Sequence, residues 1–271
     1  MNFRTFSLEF PRHARILIQF WKTSLVQAME YRVNFMLGIG ANAIDFTIGL
    51  VQYGFFFSVA NSIAGWQKDQ MLAFYAIFMT IFSLHFIVLF PNLEAMSQLV
   101  NSGALDLVLT KPISVQFLLS FRKLSFDEMG SFFTSQVLLL GLWATGRIDV
   151  SAQNLFLFFG ALFCSFSFVY SFFLFLMAIA IRIEKLQNMA ELMWSFFTFC
   201  RYPVDVFPRW VRSLFISLIP IAFITTIPAK ALTVGVEPST VIWGGFLAVV
   251  FLFAARFFWK TAIASYTSAG G

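Results

Sequence analysis

Apolar residues fill long windows of this chain almost without interruption, and polar residues gather in short clusters between them. The stretch "NLFLFFGALFCSFSFVYSFFLFLMAIAI" is apolar on every helical face, unlike the one-sided pattern of a helix on a soluble domain. A bilayer core needs about 20 apolar residues per helical crossing, whereas a membrane barrel alternates in segments of about ten. The apolar windows therefore predict helical spans at 33–60, 71–90, 129–145, 155–181, 189–200 and 241–258.

Three regions break this pattern. From Pro11 to Arg32, at 100° per residue, Arg12, Arg15, Gln19, Lys22, Thr23, Gln27 and Glu30 share one face, and Leu17, Trp21, Leu25 and Ala28 share the other. A basic amphipathic helix with a Trp on its apolar side lies in the headgroup region rather than crossing it. The second region, 92–128, is polar and turn-rich. The third, 201–237, holds or borders five of the eight prolines: Pro203, Pro208, Pro220, Pro228 and Pro238. Its best apolar run, Val211 to Ile227, has Pro220 inside it, and proline breaks or kinks a helix. Irregular backbone at membrane depth survives only where protein or water shields it, which predicts two short helices that dip into one leaflet and return.

The fold expected is an all-α integral membrane protein. It has six transmembrane helices, an N-terminal amphipathic interfacial helix and re-entrant helices before the last span. Residues 1–271 are expected to form a single transmembrane domain: 1–32 interfacial, 33–91 spans one and two, 92–128 a cytoplasmic insert, 129–200 spans three to five, 201–237 the outer re-entrant region, and 238–271 span six and tail.

Composition agrees. Of 271 residues 59% are hydrophobic and 11% charged, with a mean hydropathy of +0.82, against about 25% charged in soluble domains. The 39 phenylalanines could wall a cage for a cation, but lipid-facing and helix-packing roles account for them more simply. Cys164 and Cys200 fall inside apolar runs, so neither a disulfide nor a metal site is expected. "MNFRTFSLEFPRHAR" has no apolar core followed by a small-residue cleavage site, and no signal peptide is expected. The net charge of +5 reports orientation, and no nucleic-acid partner is expected. With both ends cytoplasmic, twelve Lys and Arg lie inside and six outside: Lys68, Arg147, Arg201, Arg209, Arg212 and Lys230. Cytoplasmic loops carry that excess.

Chemistry is sparse. No G-x-x-x-x-G-K-S/T loop exists, nor even a Gly-Lys dipeptide, so the chain does not bind ATP in the usual way by itself. Catalysis on this chain is not expected. Asp45, His85 and Glu191 are the polar groups within predicted spans, where a charge costs about 2.5–3.5 kcal/mol at the bilayer centre. They could form a proton relay in a secondary transporter. Alternatively Asp45 bonds across helices, His85 packs and Glu191 sits at headgroup depth.

The segment "NSGALDLVLTKPIS" has its own logic. Ser102 and Gly103 stop a short helix, Leu105, Leu107 and Leu109 recur around Asp106, Pro112 extends Lys111, and Ser114 can cap a new helix. Apolar side chains presented at the cytoplasmic surface need a protein partner.

"SGALDLVLTKPIS" resembles the G-x-L-D-x-x-L-x-(R/K)-P-(I/L)-(S/N) segment of bacterial type-2 ABC exporter permeases, in the subgroup whose ATPase is a separate chain. "RYPVDVFPRWVRSLFISLIPIAFITTIPAKAL" is similar to that subgroup's Y-P…P segment, its later I-P and its P-A-x-x-L close. The "VDVFP" spacing departs from the family pattern. The resemblance implies a multi-pass protein of the bacterial inner membrane. It also implies two ATPase copies, which carry the ATP and magnesium, and a second permease, identical or paralogous. No cofactor is then expected on this chain. Carried over, Gly103, Leu105, Asp106, Leu109, Lys111, Pro112 and Ser114 form an ATPase-coupling motif, and Tyr202, Pro203, Pro220 and Pro228 shape an outer gate.

Overall fold

The structure, a computed structural model, describes residues 3–183, 189–217 and 219–266. Among these every extended element is helical, and Ile63 and Trp66 form one isolated bridge in a turn. The helices are α1 Phe3–Glu30, α2 Arg32–Val59, α3 Lys68–Val88, α4 Phe90–Asn101, α5 Leu105–Leu109, α6 Val115–Phe121, α7 Met129–Ala144, α8 Ala152–Arg182, α9 Met189–Cys200, α10 Arg209–Ser217, α11 Thr226–Thr233 and α12 Pro238–Ala264. Short 3-10 turns at Val204–Val206 and Ile221–Phe223 flank α10.

Helix α3 is the strut around which the others stand. It buries thirteen of its 21 residues, so it is enclosed on all sides rather than along one stripe. Gln67 and Gln70 form a reciprocal cap at its start, satisfying donors that a helix leaves open there. By contrast α2 buries only Phe46, Gly49 and Tyr53, a single narrow stripe. Gly49 is required because the Tyr75 ring lies where its Cβ would be, and the Tyr75 hydroxyl donates to the Phe46 carbonyl at 3.3 Å. Small residues likewise line the buried face of α12, which packs along α8: Ala248, Ala255 and Ala262 are buried on it, and Gly244 makes room for the Phe223 ring of the second 3-10 turn. Where lipid offers no hydrophobic drive between helices, such close backbone approach supplies the packing.

Four helical stretches are long and apolar enough to cross a membrane: α2, the run from α3 into α4, α8 and α12. Helices α7, with 16 residues, and α9, with 12, rise only about 24 and 18 Å. Helix α1 meets α2 at an elbow at Tyr31, and Ile18, Trp21, Leu25 and Met29 form an exposed apolar row along it.

The proline-rich region folds into the two short helices α10 and α11. Between them the turn at Pro220 and Ile221–Phe223 is buried against the middle of α8, with Phe223 and Phe168 rings 6.0 Å apart. From there α11 returns toward the start of α8, where Gly235 lies beside Asn154.

The α2–α7 crossing generates a test. A Cβ on Gly130 would land on the Ile39 carbonyl oxygen, whereas one on Gly141 meets nothing within 4 Å. Gly130→Val should lose folded protein on size-exclusion chromatography in detergent, while Gly141→Ala should elute as the parent does.

Candidate functional site

The polar stretch after α3 folds as three short helices. Pro91 stands in the first turn of α4, where its missing N–H costs nothing, and Leu93, Met96 and Val100 are buried at helical spacing. Ser102 and Gly103 end α4, and Gly103 takes φ +69°, a left-handed conformation that suits glycine. Helix α5 follows at once. At 100° per residue it turns Leu105, Val108 and Leu109 to one side and Leu107 to the other: Leu105 and Val108 are buried, Leu109 is half-buried, and Leu107 is 70% exposed. The alternation of leucines is thus sorted by a helix, not a strand.

Beyond α5, Lys111 and Pro112 are exposed in a tight turn in which the Ile113 N–H donates to the Lys111 carbonyl at 2.8 Å. The Ser114 hydroxyl accepts from the Phe117 N–H at 3.4 Å, capping α6. Two sets of bonds tie α6 down. The Tyr170 hydroxyl on α8 lies 3.1 Å from both Gln116 Nε2 and Ser120 Oγ. The buried Asn92 side chain donates to the Lys123 carbonyl at 2.8 Å and accepts from its N–H at 2.9 Å, while also donating to Val88. The Ser125 N–H then donates to the Ile87 carbonyl of α3 at 3.0 Å.

The insert is therefore a closed unit bound to the end of α3 and to Tyr170 in the middle of α8. Its outer surface carries Leu107, Lys111, Pro112, Arg122 and Lys123, all exposed. A cleft of about 280 Å³ between α4 and α6 has Arg122 and Lys123 on its wall. Asn92 and Tyr170 were not legible as site residues, because each acts through a tertiary partner 31 or about 50 positions away. Leu107 was visible in the leucine series but not separable from its neighbours.

At the opposite end of the molecule Tyr202, Pro203, Pro220 and Pro228 do not form one cluster. The Val204 N–H donates to the Thr226 hydroxyl at 3.0 Å and the Thr225 hydroxyl to the Cys200 carbonyl at 3.0 Å, which ties Pro203 to the start of α11, where Pro228 is buried. Pro220 instead borders the turn against α8. Asp205, in the "VDVFP" stretch, is the organising charge of this end. Its carboxylate meets Arg212 of α10 at 2.8 Å and Lys230 of α11 at 2.6 Å, and accepts from the Trp66 indole N–H at 3.1 Å.

The intramembrane polar residues are dispersed. Asp45 is exposed on α2 and shares a cavity of about 120 Å³ with Asn42, Glu128 and Arg201. Burial pushes the Glu128 carboxyl, just ahead of α7, up to about 7. His85 is buried, donates through Nδ1 to the Ile81 carbonyl at 2.6 Å and stacks on Phe166. Glu191 is exposed in the first turn of α9. Neither His85 nor Glu191 lines the cavity of Asp45, so the three are not brought together as a relay.

A family model described as ABC-2 family transporter protein matches residues 44–270. No curated protein matches the chain closely enough to count as a relative.

Asn92 generates a prediction. Asn92→Ala leaves the Lys123 N–H and carbonyl without partners, at a cost of about 1–3 kcal/mol. The thermal midpoint should fall and proteolysis within 111–123 should accelerate, with Asn92→Asp intermediate because it restores only the acceptor. An unchanged midpoint and digest would remove Asn92 from this role.

Proposed function

Since the chain belongs to the ABC-2 transporter family, we propose that it is the permease of an exporter, with its insert as the lever on which a separate ATPase acts. Two ATPase copies, holding the ATP and its magnesium, and a second permease, identical or paralogous, complete the transporter. The observation that carries this reading is the insert itself: a clamped three-helix unit that turns Leu107 outward on a chain with no phosphate-binding loop.

In this reading the chain crosses the bacterial inner membrane six times, through α2, α3, α7, α8, α9 and α12. Both ends are cytoplasmic, and α1 lies at the inner surface. The exposed row Ile18, Trp21, Leu25 and Met29 supports that placement of α1. Helices α10 and α11 form a re-entrant pair from the outer side, supported by the contact of their Pro220 turn with the middle of α8. Two permeases enclose the path between them.

Closure of the ATPase dimer presses on the face around Leu107. The push passes through the Asn92 and Ser125 bonds to α3 and through Tyr170 to α8. Helix α8 carries the Pro220 turn, so its tilt moves the re-entrant pair and strains the Asp205 ion pairs that hold the pair to Trp66. The permease supplies lever and path; the ATPase supplies the chemistry.

The test compares two leucines. A buried leucine is worth about 1.5–3 kcal/mol, and each 1.4 kcal/mol is a factor of ten in affinity. Leu107→Asp should cut ATPase recovered with the purified permease by at least tenfold while leaving its elution profile intact. Leu105→Asp should instead lose the folded permease. ATPase recovery and export unchanged in Leu107→Asp would count against the lever.

A further inference from the structure

A second cleft, of about 360 Å³, lies between α8, α9, α12 and the Pro220 turn, away from the insert. Three aromatic pairs wall it in succession along the helices. Phe168 meets Phe251 edge-on at 5.5 Å, Phe172 stacks on Phe196 at 4.2 Å, and Phe175 meets Phe258 edge-on at 5.5 Å. The side chain of the lining residue Ser171 is already committed, its hydroxyl donating to the Ser167 carbonyl at 2.7 Å. Water would find almost no partner here, and a polar ligand could not be oriented. Phe175 and Phe258 are both exposed, so the cleft opens between them.

The same two helix faces then continue to a charge. Seven residues past Phe175, about 10 Å along α8, stands Arg182; one turn past Phe258 on α12 stands Thr261. The Arg182 Nη2 donates to the Thr261 hydroxyl at 3.0 Å, which holds the guanidinium in line with the mouth of the cleft. An apolar slot within the size range of ligand sites, ending at a positioned guanidinium, matches a molecule with a hydrocarbon body and an anionic head.

We propose that this cleft is a phospholipid site: one acyl chain lies between the aromatic pairs and the lipid phosphate rests on Arg182. The charge at the mouth selects a phospholipid over an uncharged apolar molecule, and the surrounding membrane supplies it. The far end of the chain touches Pro220 and Ile221, so occupancy links the membrane's lipid to the turn between α10 and α11.

The experiment uses the full chain in nanodiscs that contain phosphatidylglycerol with a diazirine midway along one acyl chain. Photolabelled residues are mapped by mass spectrometry. Labelling of Phe172, Ile221 and Phe251 should exceed that of Phe253, which points outward on α12, by about tenfold. Ala254→Trp, which fills the slot, should cut cleft labelling about tenfold and leave Phe253 labelling unchanged. Arg182→Ala should lower cleft labelling several-fold, and Arg182→Lys should recover most of it. Equal labelling of the cleft and Phe253, or cleft labelling indifferent to Ala254→Trp, would mean ordinary surrounding lipid and overturn the site. A cleft left unlabelled while Phe253 reacts would mean that protein covers it, and would overturn the site equally.

Discussion

Force can pass from a surface loop to a membrane helix only if the loop does not give way first, and here that condition rests on the amide of Asn92. It sits at the start of α4, bonds back to Val88 at the end of α3, and grips both backbone groups of Lys123 just after α6. A segment of some thirty residues is thereby closed at its two ends by one buried side chain. Buried amides of this kind are strong because no water competes for their partners. Without it the segment would keep the Tyr170 and Ser125 bonds and the burial of Leu105 and Val108, but would lose the one side chain that joins its two ends.

The rest of the molecule extends that frame. Helix α3 is enclosed on all sides, so a displacement at the end that carries the insert is shared with α2, α7 and α11 rather than absorbed by lipid. Close approach at Gly49 and Gly130 leaves little slack between α2 and its neighbours α3 and α7, and the Phe223 ring fills the space beside Gly244 on α12. At the far end the Asp205 carboxylate, 7% exposed, gathers Arg212, Lys230 and Trp66 into one cluster. Separating the nearly buried carboxylate from its cations would be costly, so the cluster holds α10, α11 and the start of α3 together.

Much of the helical layout was legible in the apolar windows. The helices at Arg32, Lys68, Met129, Ala152, Met189 and Pro238 start within about three residues of the expected spans, since a 20-residue apolar run has few alternatives. The proline cluster announced a broken region because proline acts locally. Long-range features were not legible. Asp205 read as an irregularity in a family pattern, and its meaning lies in Trp66, 139 positions away. The leucines of α5 read as alternating because five residues are too few to distinguish helix from strand by period. The grip of Asn92 on Lys123 leaves no pattern in sequence at all.

The central claim, that Leu107 faces the ATPase, is tested most directly by replacing it with a photoreactive benzoylphenylalanine in cells. Irradiation, purification and mass spectrometry then identify what is captured. The account predicts a covalent adduct with a chain that carries a G-x-x-x-x-G-K-S/T loop, and none when the same group replaces Phe253 on the outward face of α12. Capture at position 107 of lipid alone, or of no nucleotide-binding chain, would contradict it.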